Sequence, residues 1–202
     1  MKTFKALESV KTEEGNKVSI IEKSISDLPE GDLLIKVNYS SLNYKDALSA
    51  SGSPGVTRNY PHTPGIDAVG IIEESNNSSF KEGDSVIVTG YDLGMNTAGG
   101  FGQYIRVPSS WAIPLPAGLE EKDSMCLGTA GLTAGLSVFA LDKHNSHQGF
   151  DGTSSIVSGS TGGVGSIALM LLSKLGSNVT AITGKDSQEE LLKNLGASEV
   201  VS

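Results

Sequence analysis

The sequence has only one cysteine, Cys126, among its 202 residues. A single cysteine excludes an internal disulfide framework, and it excludes zinc sites built on four cysteines or on two cysteines and two histidines. No run of about 18 apolar residues occurs, so no transmembrane helix is expected. The first residues, Met1 to Lys5, lead into mixed charge without a long apolar core. No signal peptide is therefore visible, and a cytoplasmic location is expected.

Positive charge is also scarce. The chain has 15 Lys and Arg against 23 Asp and Glu, for a formal net charge of −8, which argues against binding to nucleic acid or to an anionic membrane. Hydrophobic residues make up 38% and charged residues 19%, a balance that excludes collagen, coiled-coil and disordered chains. Glycine is abundant, since 25 residues are about 12% of the chain against a usual share of about 7%.

Up to about Pro116 the chain has short β-branched segments separated by turn residues. The predicted strands are Val18–Ile21, Leu33–Val37, Ala68–Ile72 and Val86–Val88. A short helix is predicted over Tyr44–Leu48, where the strand alternation is lost. Strands of this length and spacing predict a compact β-barrel or sandwich.

After Pro116 the pattern changes to helices that alternate with strands. The predicted elements are, in order, a helix over Ser124–Leu141, a strand over Ser154–Ser158, an apolar helix from Ser166 closed by Gly176, a strand over Val179–Thr183, a helix over Ser187–Leu195 and a strand from Ser198 to Val201. This alternation predicts a parallel, right-handed, doubly wound sheet, so the fold class is α/β.

A glycine-rich turn connects the first strand and helix of this second part. It comprises Gly159, Ser160, Thr161, Gly162, Gly163, Val164 and Gly165. In this context Gly159 permits a tight exit from the strand, Gly162 and Gly163 admit a pyrophosphate, and Gly165 lets the helix pack closely. The helix N-terminus offers unpaired N–H groups to that anion. The turn predicts a dinucleotide site, and a glycine turn without a ligand is the alternative interpretation.

The end of the next strand indicates which dinucleotide is bound. Sites for NAD usually have Asp or Glu there to bind the ribose 2′-hydroxyl, whereas this chain has Thr183, Gly184 and Lys185. A hydroxyl and an ammonium group suit a 2′-phosphate, and the nearest acid, Asp186, is interpreted as a helix cap. NADPH is therefore predicted over NADH, with an ordinary loop lysine as the alternative for Lys185.

Three further segments accompany the glycine turn, namely Leu42-Asn43-Tyr44-Lys45-Asp46, Pro64-Gly65-Ile66-Asp67 and Gly128-Thr129-Ala130-Gly131. Together these segments resemble the medium-chain dehydrogenase/reductase superfamily. Within it they are most similar to the zinc-free acrylyl-CoA reductases, a branch often assigned to the quinone oxidoreductases. The resemblance covers essentially the whole chain. It implies a GroES-like β-barrel catalytic domain over residues 1–120 and a Rossmann NADPH-binding domain over residues 121–202.

The same resemblance assigns the site residues. It implies that Tyr44 lies beside the nicotinamide, with Asn43 and Asp46 as catalytic neighbours, and that Thr129 approaches the nicotinamide end. It assigns the pyrophosphate to Thr161–Val164 and the 2′-phosphate to Thr183–Lys185. No metal is expected, because the turn that carries His and Glu in zinc-dependent relatives is Gly65-Ile66-Asp67 here.

The activity that the resemblance implies is a zinc-independent, NADPH-dependent reduction of an activated double bond, as in an acrylyl-CoA-type enoyl thioester, or of a quinone. Hydride addition to an enoyl thioester leaves negative charge on the thioester oxygen, and the Tyr44 phenol can donate a hydrogen bond or relay a proton there. Asp67 is either a site residue or a turn-forming aspartate. The competing hypotheses are a non-catalytic NADPH-binding or redox-sensing protein and an isolated β interaction module, which leaves the glycine turn unused.

The Rossmann domain is expected to be present only in its first half. A complete sheet has the strand order 3-2-1-4-5-6, whereas this sequence supplies two strands and the start of a third. A fragment or a truncated gene product is therefore expected, with the strand around Ile156–Ser158 exposed at one edge and with weak activity or none. The expected partner is a small-molecule substrate, and a homodimer is left open.

Overall fold

The computed structural model describes residues 2–202, which form two compact units. The first unit extends to Thr129 and the second spans Ala130–Ser202. The division falls within one long helix, nine residues after the domain boundary predicted at residue 120.

The first unit consists mainly of antiparallel strands. Its elements are β1 (Thr3–Thr12), β2 (Gly15–Ser24), β3 (Leu33–Tyr39), α1 (Tyr44–Ser51), β4 (Asp67–Ser75), β5 (Ser85–Thr89), β6 (Tyr104–Val107) and β7 (Ala112–Pro114). Strands β1 and β2 pair as a hairpin, and the other strands form a five-stranded sheet in the order β6-β3-β4-β5-β7. The four predicted strands are confirmed, whereas β1, β6 and β7 were not predicted.

The core of this unit follows from the alternation of its strands. Successive side chains of a strand point to opposite faces, and alternate residues of the sheet strands supply the largest buried cluster. Its fully buried members include Leu33, Ile35, Ile72, Val86, Val88, Ile105 and Val107. The first unit therefore has its own hydrophobic core.

The second unit has the predicted α/β alternation. Helix α2 (Glu121–His144) leads into it from the first unit, and β8 (Ser154–Ser158), α3 (Gly163–Lys174), β9 (Asn178–Ile182), α4 (Glu189–Asn194) and β10 (Glu199–Val201) follow. The three strands are parallel, in the order β10-β9-β8. This order is the 3-2-1 half of a doubly wound sheet, which confirms the predicted fold class.

Two details of the helices test the sequence analysis. Gly176 follows the C-cap residue of α3 with φ +91°, as predicted for a glycine that ends a helix. The prediction that Asp186 caps the next helix is wrong, because Asp186 begins a short 3₁₀ turn and α4 starts only at Glu189. The N-cap residue of α4 is Gln188, and its side chain makes no capping hydrogen bond.

Strand β8 has a neighbour on one side only within residues 2–202. It pairs with β9, and its other edge is open. The side chain of Ile156 in β8 is 72% exposed. An exposed apolar residue on an open edge matches the expectation for a first strand without its further neighbours.

Helix α2 is, among residues 2–202, the one helix long and apolar enough to cross a membrane by length and composition alone. It is not a continuous helix, because Gly128 has φ +49° and ψ −151°. The regular part from Thr129 to His144 is about 24 Å long at 1.5 Å per residue, which is shorter than a hydrocarbon core of about 30 Å. The kink therefore weakens the case for a membrane span.

Candidate functional site

The glycine-rich turn joins β8 to α3, and two of its glycines shape it. Gly159 has φ +62°, a left-handed conformation that favours glycine, and its carbonyl oxygen accepts from the N–H of Gly162 at 2.9 Å. A Cβ atom on Gly165 would overlap the Gly159 carbonyl and would lie 2.9 Å from the Ser160 Cα. Glycine at this position is therefore what lets α3 pack directly against the end of β8.

The N-terminus of α3 offers backbone N–H groups that can bind a ligand. Gly162 is the N-cap residue, so no side chain caps the helix, and the first turn contains no acidic residue. Among residues 2–202 no group accepts a hydrogen bond from the N–H of Gly163, Val164 or Gly165. Such N–H groups, together with the partial positive charge of the helix end, provide a site for an anion.

The register of the sheet places the turn next to the end of β9. Ser158 pairs with Ile182, and the N–H of Ser160 donates to the Ile182 carbonyl at 3.2 Å. Thr183 follows at once and is 4% exposed, while its hydroxyl oxygen accepts from the N–H of Lys185 at 3.1 Å. The Lys185 side chain is exposed and makes no ion pair within residues 2–202. The structure therefore brings the predicted pyrophosphate and 2′-phosphate residues together.

Tyr44, Asn43 and Asp46 surround the N-terminus of α1, but they differ greatly in exposure. Tyr44 is the first helical residue and its side chain is 81% exposed, and its hydroxyl has no hydrogen-bond partner in the described part of the chain. Asp46 is 2% exposed, and it accepts from the N–H of Asn43 at 2.8 Å and from the N–H of Ile66 at 2.9 Å. Tyr44 is thus available to a ligand, whereas the Asp46 carboxylate caps α1 and holds the segment before β4.

The environment of Asp46 shifts the pKa of its carboxyl group. Burial raises the pKa of the Asp46 carboxyl above its ordinary value, and the nearby charge of Asp67 acts in the same direction. The two backbone N–H groups that donate to it partly oppose this shift in pKa. Its geometry and its burial suit a structural role in positioning Asn43.

Asp67 lies at the centre of a hydrogen-bond network that the sequence did not reveal. It is fully buried, and its carboxylate accepts from the Ser41 hydroxyl, from Asn43 Nδ2 at 2.9 Å, and from both the N–H and the hydroxyl of Thr129, at 3.0 and 2.7 Å. Of the two predicted alternatives for Asp67, neither describes this network. Gly128, just before Thr129, was the one local signal, because a glycine inside a predicted helix requires an explanation.

The predicted site residues therefore form two groups. Asn43, Asp46 and Thr129 are connected through carboxylates in the first unit, with Tyr44 exposed beside them. The glycine turn and Thr183–Lys185 form the other group in the second unit. Within residues 2–202 no cluster of three or more His, Cys, Asp or Glu residues could hold a metal ion.

Comparisons with known proteins identify relatives for both units. The alcohol dehydrogenase GroES-like domain family matches residues 29–117. The chain is 44% identical over 199 residues to YhfP of Bacillus subtilis, which is assigned by name to the quinone oxidoreductases, and 41% identical over 201 residues to the acrylyl-CoA reductase AcuI of Ruegeria pomeroyi. Each match covers 98% of this chain and 60% of the relative.

Solved structures agree with these matches. The YhdH oxidoreductase of Salmonella enterica, in complex with NADP, superimposes with a TM-score of 0.93 at 39% identity over 98% of this chain and 60% of its own. The YhfP structure, with NAD bound, has a TM-score of 0.92 at 43% identity over 100% of this chain and 61% of its own. The chain thus spans about 60% of the length of these relatives.

The likeness extends over nearly all of the chain in both sequence and fold. The chain is therefore a homologue of proteins named as quinone oxidoreductases and acrylyl-CoA reductases, and its residues 29–117 match the alcohol dehydrogenase GroES-like domain family.

Proposed function

We propose that this chain supplies the catalytic and cofactor-binding residues of a zinc-independent, NADPH-dependent oxidoreductase. The observation that carries the proposal is the register of β8 and β9, which places the donor-rich turn at Gly162–Gly165 beside Thr183 and Lys185. A pyrophosphate fits the first feature and a ribose 2′-phosphate fits the second. The relatives' names support an oxidoreductase.

The residues of the second unit suit this cofactor. The N–H groups of Gly163, Val164 and Gly165 would bind the pyrophosphate, with Thr161 beside them in the turn. Lys185 would bind the 2′-phosphate, and Gly184 allows a close approach because no atom in the described part of the chain lies within 4 Å of its potential Cβ position. The first acid after β9 is Asp186, so no carboxylate occupies the positions between Ile182 and Asp186 to repel that phosphate.

The residues of the first unit suit the reacting end of the cofactor. Bound NADPH supplies a hydride, which the acceptor takes up at an electrophilic carbon or at a quinone. The Tyr44 hydroxyl is exposed and has no hydrogen-bond partner within residues 2–202, so it can donate to the oxygen on which negative charge develops. One well-placed donor of this kind contributes roughly 2.7–4 kcal/mol to transition-state stabilisation in other enzymes. Asn43 and Thr129 would adjoin the nicotinamide.

For the acceptor we propose an acrylyl-CoA-type enoyl thioester or a quinone, which are the two classes that the relatives' names indicate. Both acceptors develop charge on an oxygen, so the same phenol serves either reaction. We also propose a cytoplasmic location and a small-molecule partner. In the alternative, the protein binds NADPH but does not catalyse its oxidation by either acceptor.

The test begins with calorimetric titration of NADPH and of NADH into the protein as its gene encodes it. Lys185→Ala is expected to weaken NADPH binding by on the order of tenfold, because it removes a charge-assisted contact, and to leave NADH binding nearly unchanged. Lys193→Ala is the matched control, since Lys193 is exposed, lies in the same segment and pairs with Glu189. Equal losses for both cofactors would contradict the 2′-phosphate assignment.

Catalysis is tested by following oxidation of NADPH with acrylyl-CoA and with a quinone, measured side by side. Turnover with either acceptor supports the oxidoreductase. Tight NADPH binding without turnover would favour the non-catalytic alternative, and no binding of either cofactor would refute the proposal as a whole.

A further inference from the structure

Asp67 is a buried carboxylate without a cation. It is fully buried, and no Lys, Arg or His in residues 2–202 forms an ion pair with it. A buried carboxylate costs several kcal/mol unless its oxygens are satisfied by donors. Here four donors serve its two oxygens, so displacing any group that carries one of these donors raises the cost of burying the carboxylate.

The four donors come from two separate segments. The Ser41 hydroxyl and Asn43 Nδ2 belong to the loop that leads directly into Tyr44 and α1. Asn43 Nδ2 also donates to the Ser41 hydroxyl oxygen at 3.0 Å. The other two donors are the N–H and hydroxyl of Thr129, which lies 62 residues further along the chain than Asp67. One side chain therefore ties the Tyr44 loop to the segment around Thr129.

The kink in α2 makes this arrangement possible. Gly128 leaves helical geometry, so Thr129 begins the regular part of α2, and a first-turn N–H of this kind is commonly capped from outside the helix. The Asp67 carboxylate accepts that N–H and thus acts as a cap supplied from β4. A Cβ atom on Gly128 would lie 2.7 Å from Asp67 Oδ2 and 3.0 Å from the Ser41 hydroxyl oxygen. Only glycine lets the helix approach the carboxylate this closely.

We propose that Asp67 is a positioning residue, which fixes Asn43 and Thr129 with respect to each other and so sets the geometry at the reacting end of the cofactor. The inference rests on the proposed function, in which Tyr44, Asn43 and Thr129 adjoin the nicotinamide. It gives a defined role to Asp67, for which the sequence left two alternatives open, and it gives Gly128 a reason to be glycine. Asp67 itself acts through its neighbours and not on substrate.

The principal test is Asp67→Asn, which keeps the size of the side chain but turns one acceptor into a donor that faces other donors. We expect kcat with NADPH and an acceptor to fall by roughly 10- to 100-fold, as for other displacements of about 1 Å in reacting groups. The Kd for NADPH should change by less than about threefold, because the phosphate contacts lie in the second unit. Amide hydrogen exchange without cofactor should speed up at Thr129 and Asn43.

Asp32→Asn is the matched control. Asp32 also belongs to the first unit, and its carboxylate accepts two hydrogen bonds, both from Ser109, but none from the four donors to Asp67. It should lose stability without a change in kcat. If Asp32→Asn lowers kcat as much as Asp67→Asn does, the effect is general destabilisation and the inference is wrong.

Thr129→Val keeps the inference testable if Asp67→Asn does not fold. It removes one of the four donors and leaves the N–H, so kcat should fall, and Thr129→Ser should restore it. When it is combined with Asp67→Asn, Thr129→Val should add little further loss of kcat, since both substitutions break the same contact. If the fold losses in kcat of the two single variants multiply in the double variant, the two residues act independently and the inference is wrong.

The two proposals fail in different ways. A wild-type protein that binds no NADPH overturns the proposed function and, with it, this inference. A wild type that binds and turns over NADPH, with Asp67→Asn equal to it in kcat and in Thr129 amide exchange, overturns the positioning role alone.

Discussion

The same substitution, glycine to alanine, is expected to have opposite effects at two helical positions of the second unit. Gly135 lies in the regular part of α2, and no atom of residues 2–202 lies within 4 Å of its potential Cβ position. Gly165 lies in the first turn of α3, where a Cβ atom would overlap the backbone of Gly159 and Ser160. Comparing the two variants therefore separates the effect of helix propensity on stability from the effect of packing.

The magnitudes follow from these surroundings. Gly135→Ala should stabilise the folded state by about 0.5–1 kcal/mol, because alanine loses less backbone entropy on folding and meets no neighbour. Gly165→Ala gains a similar amount from propensity, but its methyl group meets main-chain atoms that cannot rotate away. An overpacking cost near the upper end of about 1–3 kcal/mol leaves a net loss of about 2 kcal/mol.

Urea unfolding followed by far-ultraviolet circular dichroism measures both changes. The only tryptophan, Trp111, lies in the first unit, so amide exchange in α3 and β9 is the better local probe of the second. Gly165→Ala should also weaken NADPH binding, because α3 presents the pyrophosphate donors. A Gly165→Ala protein as stable as Gly135→Ala would refute the packing argument.

Two other groups give independent predictions. His62 is buried and its pKa is lowered, mainly by that burial. As the pH falls, His62 is therefore protonated in the unfolded chain before it is protonated in the folded protein. Its contribution to the free energy of unfolding is complete above pH 6.5, the ordinary pKa of histidine, and is lost as the pH falls below that value. His62→Gln should flatten this loss in urea midpoints measured from about pH 7 to about pH 5. Tyr44→Phe should lower kcat more than it weakens NADPH binding, and an unchanged kcat in steady-state assays would remove Tyr44 from the chemistry.

Local patterns were sufficient for most of the fold. The strand–turn–helix sequence over β8 and α3, and the glycine that ends α3, are determined by neighbouring residues, so the sequence predicts them well. Strand β1 was missed although Phe4 and Ala6 are buried and alternate with polar residues, because this alternation is short. The kink at Gly128 was missed because helix propensity alone extends α2 through it.

The candidate site was predictable only in part. The turn at Gly159–Gly165 and Thr183–Lys185 is built from consecutive segments and from parallel strand register, which sequence patterns contain. The Asp67 network joins residues that are far apart in the chain, and its energy comes from burial that no local pattern reports. Asp46 was predicted as a catalytic neighbour, and its two backbone contacts became visible only in the folded chain.

The contact between Asp67 and Thr129 decides where the β-rich unit can be cut for separate expression. A polypeptide that stops at residue 120 would keep Asp67 but lose half of the donors to its carboxylate, leaving a poorly satisfied acid inside an otherwise intact sheet. The shortest piece expected to survive purification as a folded module therefore extends beyond Gly128 and includes at least the first turn that follows it.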